Sequence, residues 1–189
     1  MPDPPPRRSL LAPPPVVAVA GWLVPGSGYV LIGDVGRGLV VGITIIVVFI
    51  LGILIAGIRV IDVPGYDNLG YQKRLINGRR VDPADRQQYP FAPSALATRP
   101  MGEIIEKPWF VAQVLTGPIA IIAANWSIAA AQPATPDGRV SAVPISHARL
   151  FDIGSLYTAV AGMLNLLAVI DAAARAARGP NPSPAPQPA

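Results

Sequence analysis

From Gly38 to Ile58 the sequence reads GLVVGITIIVVFILGILIAGI and contains no charged residue. Coiled as a helix, which rises about 1.5 Å per residue, such a run reaches across a hydrocarbon core roughly 30 Å thick. A soluble domain is about one-quarter charged. This chain is 14% charged and 51% hydrophobic, with a mean hydropathy of +0.44. The run therefore predicts a membrane helix, and the composition extends that reading to most of the chain.

Three more apolar segments flank it: residues 16–33, 109–131 and 150–172. Together they predict an all-α fold, an integral membrane helical bundle of four transmembrane segments, the first broken at Pro25 and Gly26. The division that follows is a tail at 1–15, a hairpin at 16–58, a loop at 59–108, a second hairpin at 109–178 and a tail at 179–189. Both tails are rich in proline and are expected to be disordered. A break within the first segment is tolerated only where neighbouring helices or water satisfy the freed backbone groups, so that segment either spans or re-enters. Lysine and arginine accumulate on the cytoplasmic side. Four spans divide the basic residues twelve to three, and a re-entrant first segment divides them ten to five. The expected arrangement is four spans in the bacterial inner membrane with both termini cytoplasmic.

The loop at 59–108 holds the one small soluble element. Lys73 to Asp82 reads KRLINGRRVD, with the Asn-Gly pair of a two-residue β-hairpin turn. Asp82-Pro83-Ala84-Asp85 reads as a helix start. The basic cluster Lys73, Arg74, Arg79 and Arg80 is a candidate contact for anionic lipid headgroups, and equally a determinant of topology.

The last apolar segment has two faces. Gly154, Thr158, Ala161, Asn165, Ala168 and Ala172 share one, and Leu156, Val160, Met163, Leu167 and Ile170 share the other. In lipid a small, weakly polar face is a helix-packing surface, with Gly154, Thr158, Ala161 and Asn165 at its centre. The third segment repeats the pattern with Gln113, Thr116, Gly117, Ala120, Ala124 and Ser127. These faces support an accessory or structural subunit working through helix contacts, as a homo-oligomer or with other membrane subunits. The alternative is a small transporter or channel for a polar solute or ion, using Gln113, Asn125, Asn165, Asp152 and Asp171.

Enzymatic chemistry has little to work with. Cysteine is absent and His147 is the single histidine, which removes thiolate and histidine-based metal sites. A serine–histidine dyad would need Ser27 within hydrogen-bond reach of His147. No cofactor, metal or catalytic residue is expected. The net charge of +4 lies beside apolar spans, which points to membrane lipids as partners and not to nucleic acid.

PGSGYVLIGDVGRG, from Pro25 to Gly38, resembles the glycine signature of small bacterial membrane proteins related to two-transmembrane (TM-two) domains, carried here by Pro25, Gly26, Gly28, Gly33, Arg37 and Gly38. DIGSLYTAVAGMLNLLAVIDA, from Asp152 to Ala172, is similar to the final span of one family in that group, catalogued as a domain of unknown function. Relatives with histidine in place of Tyr29 belong to the same resemblance. It implies a membrane location and no activity, cofactor or substrate.

Overall fold

The computed structural model describes residues 12–67, 71–81, 91–131 and 143–178. Both tail sequences beyond these bounds, and the helix start expected at Asp82, lie outside the described residues. Eight helices and one two-stranded sheet make up the described fold, which is all-α but for that small sheet. Two helices are long and apolar enough to cross a membrane: α3 (Val35–Ala56) and α8 (Ala148–Arg178).

These two run antiparallel and form the axis of the molecule. Gly52 of α3 lies against Gly154 and Thr158 of α8. At the other end the amide of Asp34, which caps α3, donates to Tyr29, whose phenol donates to Asp171 of α8. The small face of α8 makes this approach possible: Thr158, Ala161 and Asn165 are fully buried, while Leu167 and Ile170 opposite them are exposed. A Cβ at Gly154 would run into Ala56.

The first apolar segment turns back on itself. Pro14 opens α1 (Pro14–Leu23), a position where a missing N–H costs nothing, so the expected tail ends before residue 15. α1 starts level with Ala172, since Gly28 touches both the Val17 carbonyl and Ala172 Cβ. It descends until Gly21 reaches Val169. Pro25 and Gly26, the latter at φ 85°, reverse the chain, and α2 (Ser27–Leu31) climbs back to Asp34. Both ends of the segment therefore sit at the Asp34 end of the bundle.

The third segment does the same from the opposite end. α6 (Pro108–Val114) starts beside Asp62 and Tyr66, which hold Lys107. It runs inward until the Leu115 carbonyl meets Asn165. Gly117, at φ 106°, and Pro118 then break the helix, and α7 (Pro118–Ala131) returns to place Ser127 on the Ile61 carbonyl. The continuous third helix expected from residues 109–131 is replaced by two. Pro118 cannot donate into a helix, and a side chain at Gly117 would run into the Trp22 carbonyl.

Of the four apolar segments two form helices long and apolar enough to cross a membrane: α3 and α8 run the length of the bundle, and residues 14–31 and 108–131 form two hairpins entering from opposite ends. The chain leaves at the Asp34 end on both sides, through α1 and through Arg175–Arg178.

The segment between α3 and α6 packs as a small cap at the Arg59 end. A 3-10 turn at Ile58–Val60 follows α3. β1 (Leu75–Ile76) pairs antiparallel with β2 (Arg79–Arg80), and Asn77 (φ 49°) and Gly78 (φ 77°) form the turn between them. Lys73 and Arg80 lie against α5 (Pro100–Glu106), which follows the short α4 (Ala95–Thr98).

Candidate functional site

The hairpin tips meet in the interior of the bundle, against α8. Trp22 Nε1 donates to the Val114 carbonyl at 3.2 Å, and Gly117 lies under the Trp22 carbonyl. Along the seam between α6 and α8, Gln113 faces Thr158, Thr116 lies over Gly162, and Leu115 faces Asn165. Gln113 is 1% exposed, and Thr116, Thr158 and Asn165 are 0% exposed.

The amide orientations along this seam follow from their partners. The Thr158 hydroxyl donates back to Gly154 or Ser155 in its own helix, each at 3.0 Å. It therefore accepts from Gln113 Nε2 at 2.8 Å, and that nitrogen also reaches the Val60 carbonyl at 3.4 Å. Asn165 Nδ2 donates to the Leu115 carbonyl at 2.9 Å. Each amide nitrogen thus faces an acceptor, which turns both amide oxygens the other way. Gln113 Oε1, Thr116 Oγ1 and Asn165 Oδ1 have no hydrogen-bond partner among the described residues. A buried polar oxygen without a partner costs about 1–3 kcal/mol, and these three lie along one seam facing α8.

Each end of the bundle adds polar groups. Towards the Asp34 end, Asn165 lines a crevice too narrow for a water molecule, together with Gly28, Tyr29 and Ala172. Beyond it Tyr29 holds Asp171, Arg175 pairs with Asp171 at 2.8 Å, and Arg37 lies over the Tyr29 ring while pairing with Asp34. Towards the Arg59 end a cavity of about 280 Å³ is lined by Arg59, Asp62, Tyr66, Ser127, Ile145 and Phe151. Arg59 is buried there and donates to the Val143 carbonyl. Burial pulls its guanidinium below its ordinary value, and Asp62 and Asp67 partly offset this.

The glycine signature serves the close crossing of the first hairpin over α3. A Cβ on Gly26 would run into the Gly38 carbonyl, and one on Gly42 into that of Pro25. Gly28 is packed between Val17 and Ala172, whereas Gly33, at φ 89°, turns in open space. Pro25 therefore lies at the reversal and Arg37 at the polar end. Ser27 donates to the Ala20 carbonyl, two residues from the Tyr29 that touches Asp171. His147 lies at the other end of α8, 24 residues from Asp171, or about 36 Å at helical rise. The structure does not bring the dyad together.

Of the other sequence candidates, Gln113 and Asn165 converge on the seam, and Asp171 stands at its Asp34 end. Asp152 is exposed at the start of α8, and Asn125 is exposed on α7, where it donates to Ile121. In the basic cluster Lys73 pairs with Glu103 and Glu106, and Arg80 pairs with Glu106 at 2.6 Å. Hydrogen bonds from Lys73 and Arg80 hold the Glu106 carboxyl below the usual range. Arg74 also has a partner, and Arg79 is exposed on β2. Thr116 and the break after it were missed as a site. The Gly117-Pro118 dipeptide is a turn signal that carried that information.

No curated protein and no solved structure matches the chain. A family model matches residues 16–184, a stretch that includes both hairpins, both long helices and the seam between them. The chain belongs to a family of unknown function (DUF6677).

Proposed function

We propose that this is an integral membrane protein with two spans and two opposed re-entrant hairpins, and that its buried seam is a route for a small polar solute or ion. The observation that carries the reading is the trio of unpartnered oxygens on Gln113, Thr116 and Asn165, placed where the two hairpin tips meet. Polar groups at membrane depth are expensive, and they mark substrate and ion pathways where they face the bundle interior. Discontinuous helices contributed from opposite sides are also how transporters assemble sites near the midplane.

The membrane reading has its own support. Leu39, Val40, Ile43, Val47 and Leu54 expose one flank of α3, and Met163, Leu167 and Ile170 expose one flank of α8. Among the described residues eight lysines and arginines lie at the Arg59 end and three at the Asp34 end. Positive residues inside would make the Arg59 end cytoplasmic and send both termini out on the other face. This departs from cytoplasmic termini.

Reconstituted vesicles test the route. Purified protein should dissipate an imposed gradient of an ion or small polar solute faster than empty vesicles, and Asn165→Leu should remove most of that flux while the protein stays folded. Vesicles containing folded protein that leak no faster than empty ones would sink the reading.

A second reading, an accessory subunit or homo-oligomer held by helix contacts, has one observation of its own. Asn125 stands exposed on α7 among exposed Ile121, Ile122 and Trp126, and an amide on a lipid-facing flank is a helix-association group. The small faces of α8 and α6–α7 do not serve this reading, because they are buried within the chain.

A further inference from the structure

The unpartnered oxygens also define the chemistry of whatever uses the seam. We propose that the seam binds a small alkali cation of sodium type, shed of part of its water. The inference rests on the reading of the seam as a route and names what travels there.

Three features of the seam select the ligand. First, the groups left to receive it are oxygens: Gln113 Oε1, Thr116 Oγ1 and Asn165 Oδ1, each on a side chain at least 99% buried. Both amide nitrogens already donate, Gln113 to Thr158 and Asn165 to Leu115. Gln113 Nε2 uses both of its protons and Asn165 Nδ2 one of two, so the seam presents three oxygens against one amide proton and the Thr116 hydroxyl proton, a set that favours a cation over an anion. Second, all three ligands are neutral. Calcium and magnesium sites are built on carboxylates, and soft metals take thiolate or imidazole. Two amides and one hydroxyl match the oxygen ligands that replace the hydration of a monovalent ion. Third, the oxygens are strung out. Their neighbours on α8 are Thr158, Gly162 and Asn165, spaced about one turn, or roughly 5 Å, apart. That is too wide for one compact cage. It suits an ion that moves between successive neutral contacts, weakly enough held to leave.

Gly162 fixes this arrangement. Its missing side chain lets the Ala112 carbonyl and the Thr116 hydroxyl approach the backbone of α8. The hydroxyl therefore stands between the two amides and not outside them.

The test is binding, measured without flux. Thermal unfolding of the purified full chain is followed in sodium, lithium, potassium and choline chloride at constant ionic strength. Sodium should raise the Tm by roughly 5 °C at a hundredfold excess over its Kd, relative to choline. Chloride replaced by gluconate should change nothing. Thr116→Ser should keep the shift and Thr116→Val should lose most of it. If Thr116→Val does not fold, the wild-type salt series decides alone. Equal Tm values in sodium, potassium, lithium and choline would overturn the proposal, as would a folded Thr116→Val with the full shift. A chain that passes protons or a neutral solute in vesicles with no alkali-ion shift overturns this inference and leaves the route standing. A shift without any flux keeps the site and removes the route.

Discussion

The indole of Trp22 donates to the carbonyl of Val114 across 92 positions of sequence, tying the tip of the first hairpin to the break in the second. Two features hold that junction: this bond and the absence of a side chain at Gly117. Trp22→Phe keeps the ring and removes the donor, and should cost about 1 kcal/mol. Gly117→Ala should cost more, because it combines a positive φ with a Cβ against the Trp22 carbonyl. Unfolding in mild detergent measures both. A Gly117→Ala chain as stable as the wild type would show that the tips do not meet as described.

Glycines on the long helices separate close approach from simple helix content. Gly162→Ala drives a methyl into the Ala112 carbonyl and should destabilise by about 2 kcal/mol or more. Gly36→Ala, on α3 with open space around it, should be neutral or stabilise by up to about 1 kcal/mol through helix propensity. The same unfolding assay ranks them, and the reverse order would contradict the packing of α6 on α8.

How much of this was readable in the residues depends on what each feature requires. The apolar run that became α3 and the two faces of α8 are local patterns, visible because helix period and side-chain size decide them. Asn77-Gly78 is visible for the same reason, since its positive φ values demand those residues. The direction of the chain after Pro25 is not local. A break in an apolar segment permits either a kinked span or a return. Choosing between them requires Gly28 against Val17 and Ala172, contacts made with residues far along the chain. The seam was half readable: Gln113 and Asn165 stood out as polar residues in apolar segments, but Thr116 looked like ordinary packing until Gly117-Pro118 was seen to end a helix.

The cap at the Arg59 end should respond to acid. Hydrogen bonds from Lys73 and Arg80 lower the folded pKa of Glu106. Its contribution is therefore complete above the unfolded value, about 4.3, and fades as pH falls through the lower folded value. Glu106 is half exposed, so the effect is small, under about 1 kcal/mol. Hydrogen-exchange protection at Leu75 and Val81, taken relative to the intrinsic rate at each pH, should fall on acidification below about pH 4.3, and less so in Glu106→Gln. Exchange that quickens on raising the pH from 4 to 6 by more than the ordinary base-catalysed trend would reverse the sign and contradict the assignment.

Glu103 should matter more than Glu106. Its side chain is 6% exposed and accepts from Lys73 at 3.0 Å and from the Gly65 amide at 3.2 Å. Glu103→Gln leaves the Lys73 charge with the exposed Glu106 alone, and should cost about 3 kcal/mol locally. Protease sensitivity between Val63 and Pro108 should rise while α3 and α8 stay protected. Unchanged cleavage in this region would show that the pair does not hold the cap.

Single-cysteine labelling from one side of sealed vesicles tests the opposed hairpins most directly, because the chain has no cysteine of its own. Cysteines are introduced singly at Ala12, Asp34, Arg79, Val143 and Arg178. Opposed hairpins predict that Ala12, Asp34 and Arg178 label from one face, and Arg79 and Val143 from the other. Ala12 and Asp34 labelling from opposite faces, or Arg79 and Val143 doing so, would turn a hairpin into a span and contradict the account.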